Sequence, residues 1–391
     1  MALGDIFEAE VERIAAGGAG LARPGGRVVF IPYSAPGDRL RGRVVREHGA
    51  WGEAEILDLV QPSPRRVEPR CSLYPAAGLP AGPGACGGCS LQHLDYGAQV
   101  EAKKAILREA FDRIARISPG EIAAIPSPPW EYRNRVQLHR GDGAPGFKSP
   151  GGGVVPLGDC PVAEGGIRAL LKSGDLKAPP GRDRFTVFSR GELRLREGGQ
   201  SRGKLRIRDR ELLMDAGVFF QSNAGALELL IGELLDLAEG AGASLPLADL
   251  YCGVGTFASF LADRFPRIDL LEENPAALAL ARANVPPEKT RFFALTDTEW
   301  VKKKERERRT GRYGLIIADP PRQGLSPAMR RWLGRAPAPL LAYVSCDPAT
   351  LARDSGDLSR GWELSSLKIF DFYPQTAHIE SLAVFKRKHA E

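Results

Sequence analysis

The alternation of apolar and polar positions changes character along the chain, and each change predicts a different kind of element. Over residues 1–60, apolar and polar positions alternate between glycine clusters, as in GGRVVFIPYSAPGD (25–38) and WGEAEILDLV (51–60). That period predicts a small antiparallel β-barrel. QPSPRRVEPR (61–70), with three prolines, reads as a linker leading out of it. Residues 96–117 follow a helical period and predict an amphipathic helix. Short strand-like runs follow between about 121 and 220, among them YRNRVQLHR, GRDRFTVFSR, GELRLRE and GKLRIRDR. They predict a mostly β central domain with a basic solvent face. ALELLIGELLDLAEGAG (226–242) predicts a helix closed by glycine.

From Leu245 onward, buried-strand candidates alternate with helical stretches: LPLADLYCG, RIDLLEEN, RYGLIIADPP, APLLAYVSC and LKIFDFYP. This predicts an α/β fold with a doubly wound sheet. The expected domains are a barrel over 1–60, a central domain over 61–235 and an α/β domain over 236–391. The charge run VKKKERERRTGR (301–312) reads as an exposed helix or loop.

Composition adds bounds. Of 391 residues, 43% are hydrophobic and 26% charged, which is ordinary for a globular protein. No apolar run approaches the ~20 residues of a membrane helix. The N-terminus carries four early carboxylates and no basic segment, so no signal peptide is expected and the location is read as cytoplasmic. The six cysteines are too few for a disulfide framework; Cys71, Cys86, Cys89 and Cys160 lie early, Cys252 and Cys346 late. The net charge of +6 is uneven: residues 133–210 hold 17 Lys and Arg against 8 Asp and Glu, whereas the first 60 hold 7 against 9. A basic central segment suits either a polyanion or a plain solvated face.

Three segments carry candidate chemistry. DLYCGVGTF (249–257) reads as a strand, a glycine turn and a helix start, where Gly253 and Gly255 allow a ligand close to the backbone. Glu272 ends the next strand, in place to accept from ribose hydroxyls. The third glycine of a dinucleotide fingerprint is replaced by Ala258, which a ligand without pyrophosphate tolerates. DPPRQG (319–324) and SCDP (345–348) each follow a buried strand, at the edge where open α/β sheets bind ligands. TAHIE (376–380) precedes the last apolar strand. Cys346 alone reads as a small buried hydrophobe. Beside the Asp319 and Glu380 motifs it reads as a nucleophile that adds to ring carbon 6 of uracil and activates carbon 5. Glu380 is then the base that removes the carbon-5 hydrogen.

These segments, with FFQSN (219–223), resemble the RNA uridine-5-methyltransferase family, in its branch with a TRAM domain and an iron–sulfur cluster. Bacterial members of that branch are typically 23S rRNA (uracil-5-)-methyltransferases. The similarity covers nearly the whole chain. It implies a C-terminal Rossmann-like S-adenosylmethionine methyltransferase domain, an N-terminal OB-type, TRAM-like barrel and a mostly β central domain. It also implies S-adenosylmethionine contacts from Gln221, Tyr251, Thr256, Glu272, Asp297 and Asp319, with Cys346 as nucleophile and Glu380 as base.

For the early cysteines, one Cys-Gly-Gly-Cys pair and two singles fit zinc and a four-thiolate cluster equally on spacing. The resemblance selects a 4Fe-4S cluster on Cys71, Cys86, Cys89 and Cys160, with a structural or RNA-orienting task. The 14-residue spacer between Cys71 and Cys86 is longer than the family leads one to expect. The implied partner is RNA, 23S rRNA first and tRNA as the alternative, bound mainly by the central basic segment and with the target uridine flipped out. A monomer without membrane association is expected. Competing readings are an RNA cytosine-5-methyltransferase, an amino-group methyltransferase and a non-catalytic RNA-binding or assembly factor.

Overall fold

The computed structural model describes residues 2–75, 84–241, 244–307 and 312–388, which divide into two compact units. The first comprises Met1–Ile106, Pro128–Ser189 and Tyr373–His378; the second comprises Leu107–Ser127, Arg190–Phe372 and Ile379–Glu391. This division runs through the 61–235 segment marked out in the sequence. Most of the Cys71–Cys86 spacer, 76–83, lies outside the described residues, as do 308–311 of the charge run.

In the first unit, strands Ile6–Ile14, Gly20–Ala22, Val28–Ile31, Arg39–His48 and Trp51–Gln61 close into a five-stranded barrel. Alternate residues fill it, among them Phe7, Val11, Leu40, Val44 and Ile56. Gly42 lies against Phe7, whose Cζ would stand 2.7 Å from an added Cβ, so a side chain there would push the ring out of the core. The proline-rich linker is held rather than loose. Asp38, fully buried, takes Arg66 at both oxygens (2.8 and 2.7 Å) and also the backbone N–H groups of Ser63 and Ala35. Four donors on one carboxylate offset the cost of burying its charge.

The same unit holds an antiparallel sheet of Arg184–Arg190, Arg135–His139, Gly146–Lys148 and Val154–Pro156. One face is apolar, with Val136, Leu138, Phe185 and Val187 packed with Ile167 and Leu171 of helix Gly165–Ser173.

The second unit is built on an eight-stranded sheet in the order Thr290–Phe293, Ile268–Leu271, Leu247–Leu250, Leu315–Ala318, Leu340–Ser345, Glu380–Arg387, Trp362–Phe370, Ile122–Ile125. Glu380–Arg387 is the antiparallel member. The central strands are apolar and fully buried, as a sheet covered on both faces requires. Its last strand comes from far upstream: Ile122–Ile125 pairs in parallel with Leu367–Phe370. No helix among the described residues is long and apolar enough to cross a membrane.

Candidate active site

Strand register brings the expected residues to one edge. Leu250 pairs with Leu271 and with Ala318, so the residues that follow them, Tyr251, Glu272 and Asp319, leave the sheet at one level. Cys346 follows Ser345 at the end of the neighbouring strand. Because Glu380–Arg387 runs the other way, with Ser345 opposite Ser381, it presents its first residue, Glu380, at that same edge. A parallel strand would have put its last residue there.

The turn after Leu250 is tightly specified. Tyr251, Gly253 and Gly255 have φ of 62°, 55° and 78°. At Gly255 a Cβ would stand 2.9 Å from Val285 Cγ2 and 3.1 Å from Ala281, so glycine lets helix Pro275–Asn284 close on the turn. Glu272 accepts from Gly253 N–H (2.9 Å) and Asn274 N–H (2.7 Å). The Tyr251 hydroxyl donates to Asp297 (2.7 Å), the first residue of helix Asp297–Arg306. Thr256 opens the short helix after Gly255. Two buried acceptors nearby in the chain have no protein partner: Asp249 Oδ1 and Gln221 Oε1. The orphaned acceptor of Asp249, beside Glu272 and Asp319, suits a ligand that carries positive charge and donors, as S-adenosylmethionine does. The cap of helix Ala224–Glu239 is Asn223, which accepts from Ala226 N–H at 3.1 Å, so Gln221 is not needed for capping.

Burial and like charge push the acids of this edge upward. Asp249 is raised to about 8 by burial, then by Asp319 and Glu272. Asp319 is raised to about 7 by burial and Glu272. Glu380 is raised well above the usual range by burial and Asp319, with Arg322 opposing. The half-buried Cys346 thiol is pushed up to about 11 by burial, then by Glu380 and Asp319, again against Arg322. Cys346, Glu380, Asp319 and Arg322 therefore share one electrostatic neighbourhood. A carboxylate with its pKa lifted towards neutrality is suited to proton transfer at neutral pH.

The raised Asp249 and Asp319 mean that the folded chain holds more protons than the unfolded chain from about 4 to about 8. Their contribution to stability is present on the acid side and is lost as pH rises across that interval. The unfolding midpoint of ligand-free protein should thus fall between about pH 5 and about pH 8, and Asp319→Asn should flatten the fall. Calorimetry at the two pH values checks this, and an Asp319→Asn profile as steep as wild type would contradict it.

Sequence reasoning gave Arg322 and Asp354 no role. Asp354, fully buried on helix Pro348–Leu358, accepts from Leu325 N–H (2.8 Å), Tyr343 hydroxyl (2.7 Å), Arg353 (2.9 Å) and Arg330 (3.2 Å). Arg353 also donates to Gln323 O (2.8 Å), and Arg330 to Leu325 O (2.7 Å). The loop bearing Asp319 and Arg322 is thereby fixed to the strand and helix that flank Cys346. Gly324 was the available signal: its φ is +73°, and a Cβ there would come within 2.6 Å of Asp354 Oδ2. Asp347 caps that helix through Thr350 N–H (2.8 Å) with Pro348 at its first position, which explains the Asp-Pro after the cysteine.

The four early cysteines gather in the first unit. Cys86 feels Cys160 and Cys71, and Cys89 feels Cys160 and Cys86; burial pushes these thiols up to about 11 and about 12, while Arg133 pulls both down. Among the described residues, however, no three His, Cys, Asp or Glu side chains form a group that could hold a metal ion. The expected ligand set is therefore gathered without being assembled as a metal site. In number and type the thiols match a four-thiolate group, but their placement among the described residues does not form one. The loop that carries two of them is anchored by Gly87 N–H to Lys148 O at 3.0 Å.

Residues 197–388 match the family model described as tRNA (Uracil-5-)-methyltransferase. An uncharacterized RNA methyltransferase of Treponema denticola is 33% identical, over 93% of this chain and 94% of that protein. The 23S rRNA (uracil(1939)-C(5))-methyltransferase RlmD of Azoarcus sp. is 30% identical, over 97% of this chain and 99% of that protein. A tRNA (uracil-54, C5)-methyltransferase of Pyrococcus abyssi, solved with S-adenosyl-L-homocysteine, shares the fold with a TM-score of 0.72 at 23% identity, over 97% of this chain and 100% of that one. Full-length similarity at this level, on an α/β sheet whose carboxyl edge gathers a cysteine and buried acids, identifies the chain as a member of the S-adenosylmethionine-dependent RNA uracil-5-methyltransferase family.

Proposed function

We propose that this protein methylates carbon 5 of a uridine in 23S rRNA through a covalent adduct on Cys346. The observation that carries the mechanism is the common neighbourhood of Cys346, Glu380, Asp319 and Arg322 at the edge that also bears the glycine turn. The RlmD relative supports 23S rRNA over tRNA, since at similar coverage it is 30% identical against 23% for the tRNA enzyme of known structure. Cys346 reacts as thiolate, its proton released to solvent, and forms a bond to ring carbon 6 that leaves an enolate. Carbon 5 then takes the methyl group from the sulfonium, and S-adenosylhomocysteine departs. Glu380 removes the carbon-5 proton, the 5,6 double bond re-forms, and the thiolate is expelled. In this reading Gln221, Tyr251, Thr256, Glu272, Asp297 and Asp319 hold the cofactor.

Fluorine at carbon 5 cannot leave as a proton. RNA carrying 5-fluorouridine at the target should therefore accumulate a protein–RNA adduct that survives denaturing electrophoresis. Methyl transfer to ordinary RNA with no adduct on the fluorinated RNA would exclude the covalent route.

The proposal extends to a 4Fe-4S cluster on Cys71, Cys86, Cys89 and Cys160, supported by the gathering of the four thiols and by Arg133, which opposes the burial that raises Cys86, Cys89 and Cys160. When bound, the cluster would cross-link the loops around Cys71, Cys86 and Cys160. Protein purified without oxygen should be brown and contain about four iron atoms per chain; one zinc and no iron would reject the assignment. We also infer a cytoplasmic monomer.

A further inference from the structure

We propose that the open end of the outer face of the first unit's antiparallel sheet grips the phosphate backbone of the RNA, an assignment that rests on the RNA-methyltransferase reading above. Register sets this face. Arg184 lies opposite His139, and His139 opposite Gly146; Lys148, two residues on from Gly146, points the same way. Val136, Leu138, Phe147 and Phe185 turn inward. Arg184 and Lys148 are exposed, and neither makes an ion pair or side-chain hydrogen bond with any described residue. The local potential is positive: His139 is held below its ordinary pKa by partial burial, then by Lys148 and Arg184, with no carboxylate opposing them. Arg140 adds a fixed cation, anchored to Arg182 O (3.1 Å) and Pro179 O (2.6 Å).

Two other basic surfaces among the described residues are neutralised internally. On the barrel, Arg39 and Arg41 stand opposite Glu10 and Glu8, and Arg43 is paired with Glu55. On the ribbon Arg202–Ile207/Arg210–Asp215 of the second unit, Arg202 pairs with Asp215 (2.8 Å), Lys204 with Glu211 (3.6 Å) and Arg210 with Asp263 (2.5 Å). A polyanion would have to compete with those carboxylates but not with any at Lys148 and Arg184. The sheet edge is also where the cysteine loop is tied down, through Gly87 N–H and Lys148 O. That bond sets the position of the Lys148 backbone, so the cysteine region shapes the cationic face from behind.

The test is the salt dependence of affinity for a transcribed 23S rRNA fragment. Each phosphate that the protein no longer neutralises lowers the slope of log Kd against log salt by about 0.7 to about 0.9. The Lys148→Ala/Arg184→Ala protein should therefore show a slope smaller by about 1.4 to 1.8 and bind about tenfold more weakly at low salt, while its affinity for S-adenosylmethionine stays at the wild-type value. Lys148→Arg/Arg184→Lys, which keeps both charges, should restore the slope. Arg202→Ala/Lys204→Ala should leave it unchanged. A wild-type slope in the first variant, or an equal reduction in the ribbon variant, would overturn the assignment while leaving the methyltransferase reading intact. A wild-type protein that methylates no RNA would remove that reading and this one together.

Discussion

Cys346→Ala is expected to lower methyl transfer to RNA by on the order of 10⁴-fold or more, the range seen when a covalent nucleophile is removed. The size follows from the chemistry. Without a carbon–sulfur bond at ring carbon 6, carbon 5 of uracil is no enolate, and no other group at this edge can create one. The remaining acids, Asp319 and Glu380, are raised by burial and like charge, and neither is a nucleophile for an electron-poor ring. Cofactor affinity should change by less than about twofold, a ΔΔG within about 0.4 kcal/mol, because Glu272, Tyr251 and Asp297 keep their hydrogen bonds on the far side of the Leu315–Ala318 strand. The RNA product and S-adenosylmethionine titration should be measured on one preparation. Methyl transfer within tenfold of wild type would refute the nucleophile.

Glu380→Gln is the second large effect, and it differs in kind. Loss of a general base costs about 10²- to 10⁴-fold, and here the loss falls after methyl transfer. The glutamine variant should methylate carbon 5 once and then stall, so adduct accumulates on ordinary uridine RNA with no fluorine needed. Gln occupies the space of Glu and removes the buried charge that lifts the Cys346 thiol, so the first addition should be retained. Quantifying labelled methyl in the covalent band separates this from a general loss of activity. A variant that turns over at the wild-type rate, or one that never forms adduct, would place the base elsewhere.

Much of this was legible in the sequence because it is local. The barrel announces itself by alternation, with Leu40 and Val44 facing in and Arg39, Arg41 and Arg43 facing out. The glycine turn at 253–255 and the Cys346 and Glu380 segments are motifs short enough to be read directly. What escaped depends on partners distant in the chain. Ile122–Ile125 is too short to have a period of its own; its edge is satisfied by Leu367–Phe370, more than 240 residues away. Strand Thr290–Phe293 is likewise too short to show a period, although its partner, Ile268–Leu271, lies close by in the chain. The charge run at 301–312 gave no sign that Lys304 turns inward, where it pairs with buried Asp269 at 2.9 Å and Asp269 also takes Arg291 and Tyr313. Capping by Asn223 rather than Gln221 is a matter of two residues of register, which sequence cannot resolve. The task of Asp354 depends on donors from Leu325, Arg330 and Tyr343, which lie 11 to 29 residues away and leave no local pattern.

The backbone N–H groups of Leu325 and Ser326 are neighbours in the chain, yet they donate to different carboxylates: Leu325 to Asp354 (2.8 Å), Ser326 to Asp297 (3.2 Å). Asp354 also holds Tyr343, three residues before Cys346, and Asp297 holds Tyr251 of the glycine turn. Two successive peptide units thus link the carboxylate beside Tyr251 to the carboxylate beside Tyr343. By thermodynamic reciprocity, any factor by which a ligand bound at Tyr251 and Asp297 changed the affinity for RNA at the Asp319–Arg322 loop would be the factor by which RNA changed the affinity for that ligand.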